Sequence, residues 1–138
     1  MRIMAIDHGT RRMGIALSDE LKMIALPLEF IPAEPAEELL RRLQALIGDK
    51  EVSQIIVGMP RNMDGSFGPA AEKVKAFIED LRSVVEVPIR TWDERLTSVQ
   101  ANRVLRDANV KGSRRREQVD KMAAALLLQT FLDATEGL

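Results

Sequence analysis

A chain of 138 residues, 46% hydrophobic and 30% charged, has the size and balance of one globular domain over residues 1–138 and excludes a disordered, collagen-like or low-complexity protein. With no Cys and one His, disulfides and thiol catalysis are excluded and a structural zinc site is not expected. The net charge of −1 hides an asymmetry: Asp19 to Glu51 carries eight acids and four bases, whereas Arg95 to Lys121 carries eight bases and three acids.

The N-terminal run Arg2 to Ile6 is almost uninterrupted apolar sequence, as expected of a central strand covered on both faces. Asp7 ends it too early for a secretory leader, and no membrane association is expected. Residues 8–12 read as a turn and Met13 to Ser18 as a hairpin-paired second strand. A third strand, Ala25 to Ile31, contains Pro27 and belongs at a sheet edge. Pro35 opens a helix whose stripe is Leu39, Leu40, Leu43, Leu46 and Ile47, with Gly48 as its stop. Gln54 to Gly58 reads as a short buried strand, followed by a turn-rich loop at Met59 to Ser66.

Pro69 opens a second helix with Ala70, Val74, Phe77, Ile78 and Leu81 on one face, and Val87 to Trp92 forms the last strand. Thr97 or Ser98 caps a helix bearing Ala101, Val104, Leu105 and Ala108. Asn109 to Arg116 reads as a loop, and Val119, Met122, Ala123, Leu126, Leu127 and Thr130 mark the closing helix. The longest apolar run, Met122 to Leu128, is too short to span a bilayer. The order βββαβαβα implies a mixed five-stranded sheet with helices on both faces, in which right-handed crossovers make the first, fourth and fifth strands parallel neighbours.

Ligands of such sheets sit beyond the carboxyl ends of the parallel strands. Those ends are Asp7, Gly58-Met59-Pro60 and Trp92-Asp93-Glu94, and Asp120 reaches the same crevice if the closing helix packs across the sheet. Clustered carboxylates repel one another, and a divalent cation removes that cost. Mg²⁺ prefers oxygen ligands and keeps sites open for water and phosphate. A pair of such ions can activate a water and stabilise a departing phosphodiester oxygen. The alternative role for these acids is capping or pairing, as of Asp93 or Glu94 with Arg95.

Asp7-His-Gly-Thr-Arg-Arg-Met-Gly-Ile-Ala, Val57-Gly-Met-Pro with Asn62-Met-Asp-Gly-Ser, Trp92-Asp-Glu-Arg-Leu-Thr-Ser and Val119-Asp-Lys-Met-Ala-Ala together resemble the YqgF (RuvX) family. These motifs span essentially the whole chain, and Asp-Glu-Arg-Leu-Thr is the most specific. The resemblance implies a ribonuclease H-like fold related to the resolvase RuvC. It implies a bacterial cytoplasmic nuclease maturing the 5′ end of pre-16S rRNA in ribosome biogenesis, with resolvase-like action on branched DNA as the competing assignment. It makes Asp7, Glu94 and Asp120 the catalytic, metal-binding acids, serving one or two Mg²⁺ or Mn²⁺ ions. Of the neighbours Asp93 and Glu94 only one should face the site, and Glu94 is the choice. Many nucleases of the wider superfamily carry an acid on the fourth strand; here Gly58 stands there, and Asp64 lies in the following loop.

Lys111, Arg114, Arg115 and Arg116 precede Asp120 and suit phosphate contacts that read no bases. Arg11, Arg12 and Arg95 are further candidates for nucleic-acid contact. His8 could aid proton transfer or be incidental, and Trp92 could be core or crevice rim. Four Phe, one Trp and no Tyr argue for backbone and shape recognition over aromatic base stacking. Two other functions compete with the nuclease. The Asp-x-Gly-Thr hairpin also resembles the phosphate motif of actin-like ATPases, and a non-catalytic rRNA-binding assembly factor could keep the fold. The partner is structured RNA or branched DNA, and the chain is a monomer or homodimer.

Overall fold

The computed structural model describes residues 1–62, 64–93 and 112–135, with side chains in the last segment described from residue 122 onward. Five strands form one sheet: β1 (Arg2–Asp7), β2 (Arg12–Ser18), β3 (Ala25–Pro32), β4 (Val52–Met59) and β5 (Ile89–Asp93), in the order β3-β2-β1-β4-β5. β1 pairs antiparallel with β2 and parallel with β4, which pairs parallel with β5. The first, fourth and fifth strands are thus the parallel neighbours that crossover handedness requires. β3 is an edge strand, where Pro27 costs no ladder bond, and the pairing shifts register at Ile15/Ala16 opposite it.

Strand parity divides the core into two layers. Met4, Ile6, Ile15, Ile55 and Val57 point toward helices α1 (Ala36–Asp49) and α2 (Pro69–Arg82), where Leu39, Leu43, Leu46, Val74, Phe77 and Leu81 are buried. Ile3, Ala5, Ala16 and Ile56 point the other way, toward Ala124, Leu127, Leu128 and Phe131 of helix α3 (Gly112–Ala134). The helix read from Thr97 or Ser98 lies outside the described residues.

Several element limits differ from the sequence reading for identifiable reasons. Gly48 does not stop α1, which continues to Asp49; the chain turns instead at Glu51, at φ 53°. Ala71, not Ala70, completes the buried face of α2. Val87 stays out of β5 because Pro88 follows it; the Pro88 carbonyl still accepts the Ile55 N–H at 2.9 Å.

The expected loop at Asn109 to Arg116 is helical from Gly112, so Arg114, Arg115 and Arg116 occupy the first turns of α3. Gly and Ser are favourable at a helix start, and the Arg-Arg-Arg-Glu-Gln run behind them has high helix propensity. The buried face of α3 is Ala124, Ala125, Leu127, Leu128, Phe131 and Leu132, with Ala123 and Leu126 only half-buried. Met122 to Leu128 is apolar all round, so periodicity could not fix the rotation of the helix; Phe131 and Leu132 do.

Candidate active site

β1 ends in the middle of the sheet, and its alternation carries the site. Ile3 and Ala5 face α3, so Asp7, two residues on, continues that row at the carboxyl end. Its register partner is Gly14 on β2. A Cβ on Gly14 would touch the Asp7 Cβ at 3.6 Å, the Ala124 Cβ at 3.7 Å and the Phe30 ring at 3.5 Å. Asp7, the missing side chain of Gly14 and the α3 residue Ala124 therefore meet at one point. Asp120 occupies the α3 position one turn before Ala124, the spacing that stacks residues on one helix face. The expectation that the closing helix crosses the sheet beside Asp7 is met in its backbone.

The other acids divide by parity. Ile89 packs with the α1/α2 core, whereas Trp92 packs with the α3 core, its ring T-shaped against Phe131 at 5.3 Å. Trp92 thus packs half-buried against the α3 core, on the same face as Asp7. Asp93 follows with the parity of Ile89 and so belongs to the α1/α2 side of β5, paired in register with Met59. Glu94 lies outside the described residues. Gly58, opposite Trp92 on β4, is the buried position where an acid is absent. Asp64 does not fill that place: its Oδ1 accepts the Ser66 N–H at 2.9 Å and the Ser66 hydroxyl at 2.6 Å, fixing the β4–α2 loop.

An open cleft of about 280 Å³ lies over Asp7, lined by Gly9, Thr10, Arg11, Arg12, Gly14 and Phe30. The turn that builds it is tight, because a Cβ on Gly9 would collide with the Arg12 carbonyl oxygen. The Arg11 carbonyl accepts the Ala33 N–H at 2.8 Å, tying the turn to the end of β3. Arg11 and Arg12 are exposed, and the Arg12 guanidinium lies 3.9 Å from the centre of the Phe30 ring. Phe30 is a site residue that sequence reading missed. Simple alternation could not place it, because the register shift leaves Leu28 unpaired and puts Phe30 on the face of Pro27, not of Leu26.

His8 turns away from this cleft. Its ring sits 5.3 Å from Phe77 of α2, and burial holds its pKa below the usual histidine value; Asp7 opposes that shift and Lys73 reinforces it. A proton-transfer role at Asp7 is therefore not favoured by position. Beyond the expected residues, the β4–α2 loop presents the exposed Phe67 with Arg61 4.5 Å and Lys75 4.9 Å from its ring centre. Arg95 and Lys111 lie outside the described residues, as do the side chains of Arg114, Arg115, Arg116 and Asp120. Among the described residues, no group of three or more His, Cys, Asp or Glu side chains converges to hold a metal, and no helix is long and apolar enough to cross a membrane.

Residues 1–134 match the family model described as "RuvX: Holliday junction resolvase". A protein from Halothermothrix orenii named "Putative pre-16S rRNA nuclease" is 48% identical over 133 residues, covering 96% of this chain and 95% of that one. One of the same name from Desulforamulus reducens is 46% identical over 134 residues, 97% of this chain and 98% of that one. Among solved structures, RuvC from T. thermophilus in complex with a Holliday junction substrate superposes with a TM-score of 0.59 at 18% identity, over 99% of this chain and 96% of RuvC. The fowlpox virus Holliday junction resolvase gives 0.55 at 11% identity, over 97% and 99%. These two share the fold. By its motifs, its sheet and its full-length relatives, the chain belongs to the RuvX family.

Proposed function

We propose that this protein is a metal-dependent phosphodiester nuclease that processes the 5′ end of pre-16S rRNA. The observation that carries the reading is the placement of Asp7: at the end of the central strand, on the α3 side, in a cleft edged by Arg11 and Arg12. A carboxylate in a cleft with cations at its rim suits a substrate that is itself an anion only if a cation bridges the two. The relatives' name supports rRNA as the substrate, and the family description supports branched DNA as the second reading.

The available donors fit a hard divalent cation. They are carboxylate oxygens, the chain has no Cys, and its single His turns toward α2. Asp7, Glu94 and Asp120 would hold it, as Mg²⁺ or Mn²⁺. When bound, such an ion neutralises phosphate charge and lowers the pKa of a coordinated water. The protein's own part is positional. Asp7 is fixed by the β1 ladder and by Gly14, and the packing of Ala124 one turn away sets the backbone position of Asp120. Arg11 and Arg12 grip phosphates flanking the scissile bond, and the first turns of α3 bring Arg114, Arg115 and Arg116 to the same end of the helix. With Gly58 in place of a fourth-strand acid, three carboxylates serve the metal, which favours one tightly held ion over two.

The test offers end-labelled pre-16S-like RNA, free and within the small-subunit particle, and a four-way DNA junction to wild type and Asp7→Asn, with Mg²⁺ or Mn²⁺. The expected result is cleavage of the RNA near the mature 5′ end, lost in Asp7→Asn while its unfolding midpoint stays within a few degrees. Paired nicks in the junction alone would replace the rRNA reading with the resolvase one. Equal activity of Asp7→Asn and wild type would overturn both.

A further inference from the structure

The cleft over Asp7 has a neighbouring groove. Gly14 and Phe30 also line this second, larger groove of about 450 Å³ running between β3 and α3. Its walls are mainly apolar: Pro27 and Leu28 from the edge strand, Met122 and Ala124 from the helix. Glu29 also lines the groove, but its carboxylate turns to the other face of the sheet, where Arg42 of α1 engages it through bonds of 2.7 and 3.1 Å. We propose that this groove receives one unpaired nucleobase of the substrate strand, next to the phosphate held at Asp7. The proposal rests on the nuclease reading and names a subsite within it.

Three observations converge on a nucleotide as occupant. The groove adjoins the candidate active site, sharing Gly14 and Phe30 with the cleft over Asp7, which puts it one nucleotide step from a phosphate held there. Its volume is that of a small-molecule pocket, and its apolar walls match the faces of a base better than they match a phosphate. The charge changes where it should for a nucleotide. The Arg12 guanidinium lies over Phe30, a residue shared by cleft and groove, 3.9 Å from the ring centre. A guanidinium held in this way offers in-plane N–H donors to a phosphate and a face on which a base can stack.

A second copy of the chain fits less well. It would close the path to Asp7 and would bring its own surface against a mouth edged by Arg11 and Arg12 and lying toward the Arg-rich start of α3. Apolar walls read no hydrogen-bonding pattern, so the subsite accepts any base and favours the larger faces of purines. It departs from the expectation of pure backbone recognition because Leu28 and Phe30, which lie in the edge strand, are left incompletely covered by α3.

The experiment measures binding of short single-stranded RNAs to full-length Asp7→Asn protein. Each strand carries 2-aminopurine or an abasic nucleotide at one position in turn. Quenching of 2-aminopurine is expected at one position only, where the abasic strand binds about 5- to 100-fold more weakly. Phe30→Leu, which removes the ring, and Leu28→Trp, which fills the groove, should both erase that difference, while Phe30→Trp should keep it. Circular dichroism establishes that each variant is folded.

Abasic and intact strands binding alike at every position, or neither binding, overturns the subsite. So does a concentration-dependent dimer that Leu28→Trp breaks without touching RNA binding, since the groove is then a protein interface. Cleavage by the wild type reports separately on the nuclease reading. RNA cleavage with a flat abasic series removes the subsite alone, whereas absent cleavage of every substrate removes the reading beneath it.

Discussion

The two faces of the sheet are built from different materials. On the α1/α2 face, Met4, Ile6, Ile15, Ile55 and Val57 meet Leu39, Leu43, Leu46, Phe77 and Leu81, a layer of large aliphatic and aromatic side chains. On the α3 face the sheet mixes Ile3 and Ile56 with Ala5, Gly14, Ala16 and Gly58, and the helix meets it with Ala124 and Ala125 near Asp7 and with Leu127, Leu128 and Phe131 farther along. The small residues on the α3 face let the helix approach, and beside Asp7 the pair Gly14 and Ala124 leaves room for a carboxylate and a cleft. Alternation along a single strand produces both faces, since Met4 and Ile6 serve one while Ile3, Ala5 and Asp7 serve the other. The division says where substitutions should cost stability and where they should cost activity.

The sharpest way to break this comparison is at the end of β5, where two adjacent acids fall on opposite sides of the parity. If the alternation carried by Ile89, Trp92 and Asp93 extends one residue, Glu94 shares the face of Asp7 and Asp93 does not. Glu94→Gln should then lower cleavage by about 10²-fold or more, the scale of removing one electrostatic contributor from a reacting centre. Asp93→Asn should change it less than about threefold. Steady-state rates at saturating metal decide between them, and a reversed order would mean that the strand bulges or ends before Glu94.

On the opposite face the expected loss is of stability. Leu81 is fully buried at the end of α2, and Leu81→Ala should cost about 2–5 kcal/mol in denaturant unfolding. Activity per folded molecule should be unchanged. A drop in specific activity matching the drop in stability would mean that the two faces are coupled more tightly than their separate cores suggest.

How much of this was legible beforehand follows the same division. Strand order, the parallel centre and the edge position of β3 were readable because long apolar runs, Pro27 and crossover handedness each allow few solutions. Asp7 was readable because an acid ending a buried strand has few other reasons to be there. The rotation of α3 was not, because Met122 to Leu128 presents an apolar surface in every direction and only contact with the sheet selects a face. Phe30 was hidden for a related reason: in an edge strand read as ordinary alternation, nothing local reveals that the helix opposite stops short of covering it. The helical start of α3 was hidden by Gly112 and Ser113, residues that begin helices as readily as they form loops.

A smaller effect tests how α3 is locked to the sheet away from the site. The Gln129 side chain acts as a strand partner for the start of β3: its Oε1 accepts the Ala25 N–H at 2.9 Å and its Nε2 donates to the Met23 carbonyl at 3.0 Å. Gln129→Leu keeps the volume and strands a part-buried backbone donor, so it should cost about 1–2 kcal/mol. Hydrogen exchange should localise the loss to Ala25 and the β2–β3 turn. Protection unchanged at Ala25 would mean that water replaces the amide at no cost.

The smallest expected effect is a pH dependence, and its sign follows from where His8 sits. Burial against Phe77 disfavours the charged ring, so the folded-state pKa lies below the unfolded value of about 6.5. Between those two values the unfolded chain binds more protons than the folded one, and stability therefore rises with pH. The contribution is complete above about pH 6.5 and is lost as pH falls through the folded pKa. Metal-free protein unfolded by urea between about pH 5 and 7.5 should show this slope, and His8→Phe, which keeps a ring against Phe77, should flatten it relative to wild type. Because the ring belongs to the α2 side, the substitution should leave RNA affinity of Asp7→Asn protein unchanged. If His8→Phe weakened RNA binding while leaving the pH slope intact, His8 would belong to the Asp7 face after all, and the parity that separates the two faces would fail at the one residue where the strand becomes a turn.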